Sequence, residues 1–138
     1  MADKVILRVV TPNRLVLDEE VDEVTVVGEL GQMGVLPNHI DFLSTLVPGE
    51  LNFKQGPRRQ ALAVAGGYAE VLENVMTVLA AAAEFPSEID AARAERAKDQ
   101  AKKILAGLHY EDKEYKAAEL ALQRALVRLQ VAGKEARR

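Results

Sequence analysis

Three arginines carry the most specific chemistry that this chain offers. Arg93 follows Ile89-Asp90-Ala91-Ala92, whereas Arg124 and Arg128 lie one helical turn apart further along the same half of the sequence. A guanidinium presents planar donors that match phosphate oxygens, and the free amides and positive dipole end of a helix start favour an anion. If the two segments are helices folded back on each other, Arg124 and Arg128 return toward Arg93, and three converging guanidinium groups make a site for a triphosphate. The plain alternative is that these arginines are solvated and pair with Glu95 or Glu119. Other chemistry is thin. His39 stands in a Pro-Asn-His turn and His109 in a second turn, neither has a cysteine or an obvious serine partner, and two isolated histidines do not make a metal site. The reading therefore expects no catalytic residue and no metal. Glu19-Glu20 and Asp22-Glu23 read as solvated surface rather than a carboxylate dyad. Gly28-Glu29-Leu30-Gly31 lacks the Lys-Ser or Lys-Thr of a phosphate loop and no long helix follows it.

The elements that must position the arginines begin at Ser87, which with Asp90 has the spacing of a capping box, Pro86 standing just outside. Ala97, Ala101, Ile104, Leu105 and Leu108 recur at steps of three and four, and Gly107 is the expected stop. After a short turn, Tyr115, Ala118, Leu122, Ala125, Leu129 and Ala132 repeat at alternating steps of three and four until Gly133. Two helices joined so tightly run antiparallel. A seam with alanine at every second position buries little area, so its docking should be easily reversed. Leu120, Val127 and Val131 fall on the side away from Leu122 and Leu129. This strip needs a cover, either the preceding β-domain or another protein.

Upstream, the pattern changes from period 3.6 to short β-branched runs: Lys4 to Thr11, Leu15 to Leu17, Val21 to Val27, Leu51 to Lys54, Gln60 to Ala65, Tyr68 to Leu72 and Val75 to Ala80. Asp18-Glu19-Glu20 is expected to break the second run. Glu73-Asn74 reads as a two-residue hairpin turn, and Gly66-Gly67 as a bend where two backbones approach closely. Between Val26 and Leu51, glycines at 28, 31, 34 and 49 and prolines at 37 and 48 demand turns joining short strands. Many short strands at such spacing predict an all-β sandwich or flattened barrel. The fold class expected is mainly β plus α: an amino-terminal β-sandwich over 1–86, followed by an antiparallel two-helix hairpin over 87–138.

Composition agrees with that division. All five prolines and seven of the nine glycines precede Ser87, and the charge shifts from 6 basic against 12 acidic residues up to Pro86 to 12 against 9 beyond it. No cysteine is present to build a disulfide framework, no stretch approaches the ~20 apolar residues of a membrane span, and no signal peptide is evident, so the expectation is a soluble intracellular protein. An acidic chain with 4% aromatic residues and no tryptophan lacks the cationic surface and stacking platforms of a nucleic-acid binder.

Two stretches, GQMGVLPNHIDFLSTLVPGEL over 31–51 and ALAVAGGYAEVLENVMTVLA over 61–80, resemble the amino-terminal domain of the epsilon subunit of F-type ATP synthases, the bacterial counterpart of the mitochondrial delta subunit. IDAARA, residues 89–94, is similar to the motif by which some bacterial epsilon subunits bind ATP, and ELALQRALVRLQVA, residues 119–132, resembles their second helix. The resemblance implies a non-catalytic rotor subunit. It would bind the gamma subunit of the central stalk and rest on the membrane-embedded c-ring, with Gln32, Met33 and His39 at the ring and stalk interface. It implies a hairpin that lies folded or rises to reach the alpha and beta catalytic subunits and block hydrolysis. ATP is then a regulatory ligand, no cofactor is required, and the nucleotide-binding residues are Glu84, Ile89, Asp90, Arg93, Ala94, Arg124 and Arg128. The implied location is the cytoplasmic face of the bacterial plasma membrane. Two departures stand out: Gln100 and Gln32 occupy positions where relatives carry a basic and a charged residue. A different class of reading is a free-standing ATP-sensing module acting on another partner.

Overall fold

The computed structural model describes residues 2–135. The first part is built of short strands: β1 (Val5–Val10), β2 (Leu15–Val21), β3 (Glu23–Gly28), β4 (Gly31–Val35), β5 (Phe42–Leu46), β6 (Gly49–Gln55), β7 (Arg58–Val64), β8 (Gly67–Leu72), β9 (Val75–Ala80) and β10 (Ala83–Glu84). They form one sheet in the order β10-β7-β6-β3-β5-β8-β9-β1-β2, with β4 branching from β3. β1 pairs parallel to β9 and antiparallel to β2. At the end of this path β2 curls back to β6, where Gln55 Nε2 donates to Glu19 Oε2 at 2.7 Å and the Asp22 amide donates to the Lys54 carbonyl at 2.7 Å. The sheet is thereby nearly closed, the flattened barrel that the strand spacing predicts.

Period-two alternation places the core. Val5, Leu7 and Val9 of β1 point inward and are fully buried, and they meet Val24, Leu51, Leu62, Val71 and Met76 from other strands. The expected break at Asp18-Glu19-Glu20 does not occur, since β2 runs through to Val21. As the terminal strand of the sheet, β2 can leave all three acids exposed, and Arg8 opposite Asp18 pairs with it at 3.5 Å. The Glu73-Asn74 turn has φ of 49° and 65°, as a tight hairpin requires. Gly67 marks the expected close approach: its φ is +145°, and a Cβ there would lie 2.0 Å from the Leu79 carbonyl oxygen.

After β10 the chain makes a single 3₁₀ turn, Pro86–Glu88, before α1 (Ala91–Ala106) and α2 (Lys113–Glu135). The helix thus begins later than the Ser87 spacing suggests. Glu88 turns its carboxylate back to the Phe85 amide at 2.9 Å and to Arg14, Ile89 is extended, and Asp90 is the cap, its Oδ1 accepting from the Arg93 amide at 3.0 Å. Gly107 ends α1 as expected, whereas α2 continues through Gly133 to Glu135. Residues 136–138 of the expected hairpin lie outside the described residues.

The seam between the helices runs through the expected Ala101, Ala118 and Ala125 and departs from expectation on α1 alone, where Ala94 takes the place of Ala97 and Ile104. Ala94 and Ala101 of α1 and Ala118 and Ala125 of α2 are buried, while Ala97 and Ile104 are exposed. Lys98 lies on the same face between Ala94 and Ala101, its stem half-buried and its ammonium drawn to Glu95, so a lysine stands at a seam position.

Candidate functional site

The joint between α2 and the sheet brings most of the singled-out residues together. β7 is buried over Ala61–Val64 because its two faces serve different partners: Leu62 and Val64 enter the core, while Ala61 and Ala63 face the helix. Their short side chains let α2 approach, and Val131 is 0% exposed against them, with Val127 and Ile89 at the margin. The sheet thus covers the lower part of the apolar strip expected to need a partner.

Polar contacts fasten the same joint. Arg128 Nε lies 2.6 Å from Glu84 Oε1, both side chains being about two-thirds buried. Glu50 on β6 accepts from Gln130 Nε2 at 2.8 Å and pairs with the Lys134 ammonium. At the turn that starts the helical part, the Arg14 guanidinium and then the Phe85 amide hold the Glu88 carboxyl below its usual pKa of 4.5, and the same contact raises Arg14.

Of the seven residues expected at a nucleotide site, Glu84, Arg124 and Arg128 line one small gap with Ala63 and Val127, whose volume is about 10 Å³. That is room for about one water, not a triphosphate, so the gap itself does not hold a nucleotide. Ile89 is a wedge against β7, Asp90 is a helix cap, and Ala94 is buried in the helix seam. Arg93 is exposed on the first turn of α1 and does not line the gap. The plain alternative partners are occupied: Glu95 pairs with Lys98, and Glu119 with Lys116 at 3.3 Å.

Gln32, Met33 and His39 sit on two separately anchored pieces. Gln32 is exposed on β4 opposite Val27, and Met33 packs partly on the core. His39 lies in the following loop, its Nδ1 2.8 Å from the Ile40 carbonyl and its ring edge-on to Phe42 at 5.3 Å between centroids. Asn38 fastens this loop to the Asn74 turn, its amide donating to Asn74 Oδ1 at 2.8 Å.

A second surface was not singled out from the sequence. The outward face of β5, β8 and β9 carries Leu43 (69% exposed), Tyr68 (54%), Leu72 and Leu79, with Thr45, Tyr68 and Leu79 in register across the three strands. It runs into a groove of about 940 Å³ between the barrel and α2, where Pro12, Pro48, Leu120 and Arg124 meet Tyr68 and Leu79. So large an exposed apolar face marks an interaction surface. The signal lay in Leu43, Tyr68 and Leu72, apolar residues at outward positions of LSTL and YAEVL that they share with the polar Thr45 and Glu70.

Among the described residues, no helix is long and apolar enough to cross a membrane, and no group of three His, Cys, Asp or Glu is placed to hold a metal ion.

Comparison with known proteins gives a consistent result. Residues 4–86 match the family described as ATP synthase, Delta/Epsilon chain, beta-sandwich domain, and residues 87–133 match its long alpha-helix domain. The chain is 49% identical over 138 residues to the ATP synthase epsilon chain of Geobacter metallireducens and 48% identical over 138 residues to that of Trichlorobacter lovleyi, covering 100% of each chain in both pairs. Its fold is similar to a chain in the Euglena gracilis mitochondrial ATP synthase, OSCP/F1/c-ring, with a TM-score of 0.77 at 24% identity, covering 100% of this chain and 84% of that one. A chain of the Tetrahymena thermophila mitochondrial ATP synthase central stalk/c-ring gives a TM-score of 0.59 at 14% identity, covering 94% of each.

Proposed function

We propose, from the premise that this chain belongs to the ATP synthase delta/epsilon family, that it is the non-catalytic rotor subunit of a bacterial F-type enzyme and that its helical hairpin inhibits ATP hydrolysis when it leaves the sheet. The observation that carries this reading is the unequal fastening of the helices. α2 rests on two alanines of β7 and a few polar contacts, and α1 on an alanine seam, so the pair is docked without a large apolar core of its own.

The exposed face of Leu43, Tyr68 and Leu79 suits the gamma subunit of the stalk, and the β3–β4 hairpin with Gln32 and Met33, together with the His39 loop, suits the c-ring. The complex then holds the chain at the cytoplasmic face of the membrane without a span of its own. ATP would act at the joint: its phosphates compete with Glu84 for Arg128 and Arg124 and draw in Arg93, tying α1 to α2. Such a ligand stabilises the docked form by RT ln(1 + [L]/Kd), about 2.7 kcal/mol at a hundredfold excess over Kd. A released α2 would present Val127 and Val131 to the alpha and beta subunits.

Reconstituting an epsilon-depleted bacterial ATP synthase with the full chain or with residues 1–86 tests the reading. Both should restore synthesis, and only the full chain should suppress hydrolysis at low ATP. Equal hydrolysis with the two, or failure of either to assemble, would refute it. Calorimetry adds the ligand arm: Arg93→Ala should lower ATP affinity more than Lys102→Ala, whose side chain is exposed on α1.

A further inference from the structure

Glu50 is the most buried acidic side chain among the ion pairs of the joint, with 10% of its side chain exposed. It projects from β6 beside Ala63 of β7, on the face that α2 covers. Gln130 and Lys134, one turn apart, reach it from either side of Val131, Gln130 Nε2 at 2.8 Å to Oε2 and Lys134 through its ammonium at Oε1. The last two turns of α2 thus meet the carboxylate at both oxygens, Gln130 by a hydrogen bond to Oε2 and Lys134 by charge alone at the buried Oε1, which accepts no hydrogen bond. The other ion pair of the joint, Arg128 with Glu84, involves the arginine that a phosphate would claim. Glu50 has no part in that gap.

We propose that Glu50, gripped by Gln130 and Lys134, is a ligand-independent latch that sets how often the hairpin leaves the sheet. This rests on the reading of the hairpin as a releasable unit. The two ionic fasteners divide the work: Arg128 can exchange Glu84 for a phosphate while Glu50 keeps the end of α2 seated, so ligand entry does not itself free the helix. Release requires the Glu50 contacts to break. A carboxylate bared of its ammonium beneath a helix is costly, which makes the seated and free states distinct rather than a continuum.

The chain contains no cysteine, so Arg58→Cys and Lys103→Cys give a single label pair that reports the distance between the barrel and α1 in the full chain. Without nucleotide, Glu50→Lys and Lys134→Glu should each raise the ratio of undocked to docked chains about tenfold or more, and the double exchange should bring it back toward that of the parent. Glu50→Gln, which keeps one acceptor oxygen but loses the charge and sets an amide NH2 against the other partner, should fall between the parent and Glu50→Lys. An unchanged ratio in Lys134→Glu, or no recovery in the double exchange, would overturn the latch. Lys134→Glu alters only the end of α2, so it reads out even if Glu50→Lys perturbs β6. Repeating the parent measurement with ATP separates the two claims, because a ratio indifferent to ATP counts against nucleotide sensing and leaves the nucleotide-free result to judge the latch.

Discussion

Leu7, Leu51, Leu62 and Met76 are fully buried inside the barrel, whereas the seam that joins α1 to α2 is made of Ala94, Ala101, Ala118 and Ala125. Burying a leucine or methionine contributes roughly 1.5–3 kcal/mol, and an alanine methyl only about 0.8 kcal/mol. The two regions also differ in what closes them. The barrel is stitched by strand pairing around most of its circumference, while α2 meets it through Val131 and the half-buried Val127 against two alanines, with two ion pairs beside them. The barrel is therefore the more firmly held of the two regions, and the proposed release of the hairpin would leave it folded.

The sharpest way to break the comparison is to place the same substitution in each region. Gly67→Ala forces a side chain into a φ of +145° and against the Leu79 carbonyl, and it should destabilise the barrel by about 4 kcal/mol or more. Gly133→Ala meets nothing within 4 Å in a helix and should stabilise α2 by about 0.5–1 kcal/mol. Thermal melts by circular dichroism compare them. Equal effects would show that the regions do not differ in rigidity.

Val131→Ala has a smaller and more selective effect. It should weaken docking by about 1–2 kcal/mol by leaving a void over Ala61 and Ala63, while the barrel melts at its usual temperature. A matched fall in barrel stability would mean that the two regions unfold as one.

The smallest effect is one of pH. The Glu88 carboxyl is held below its ordinary 4.5 chiefly by Arg14, so its stabilisation is fully present above that pH and is lost as pH falls through the lowered folded value. Because Arg14 belongs to the barrel and Glu88 to the turn before α1, acid should loosen this turn before the barrel unfolds. Amide exchange at Phe85 in Glu88→Gln should lack that dependence, and a shared acid response would rule the carboxylate out.

Much of this contrast was legible in the residues. Alternation in β1, the Glu73-Asn74 turn and the Gly66-Gly67 approach each have one local cause, and each appears where its chemistry puts it. The misplaced features are those where a long-range contact decides. Ser87 looks like a cap until Glu88 is drawn to Arg14, Lys98 conceals the phase of the α1 seam, and Gly133 looks like a stop although Lys134 beyond it is held by Glu50. At the candidate site, the spacing put Arg124 and Arg128 on one side of α2 and expected Arg93 beside them, whereas the gap they line lacks Arg93, and no local rule shows that Glu84 from the barrel would pair with Arg128.

Hydrogen exchange on the isolated full chain, with and without ATP, tests most directly the claim that the hairpin is a separately releasable unit retained by nucleotide. The account predicts two levels of protection without ATP, high in β1, β7 and β9 and much lower across α1 and α2, with ATP raising protection only in the helices. Uniform protection across barrel and helices, or helices indifferent to saturating ATP, would contradict it.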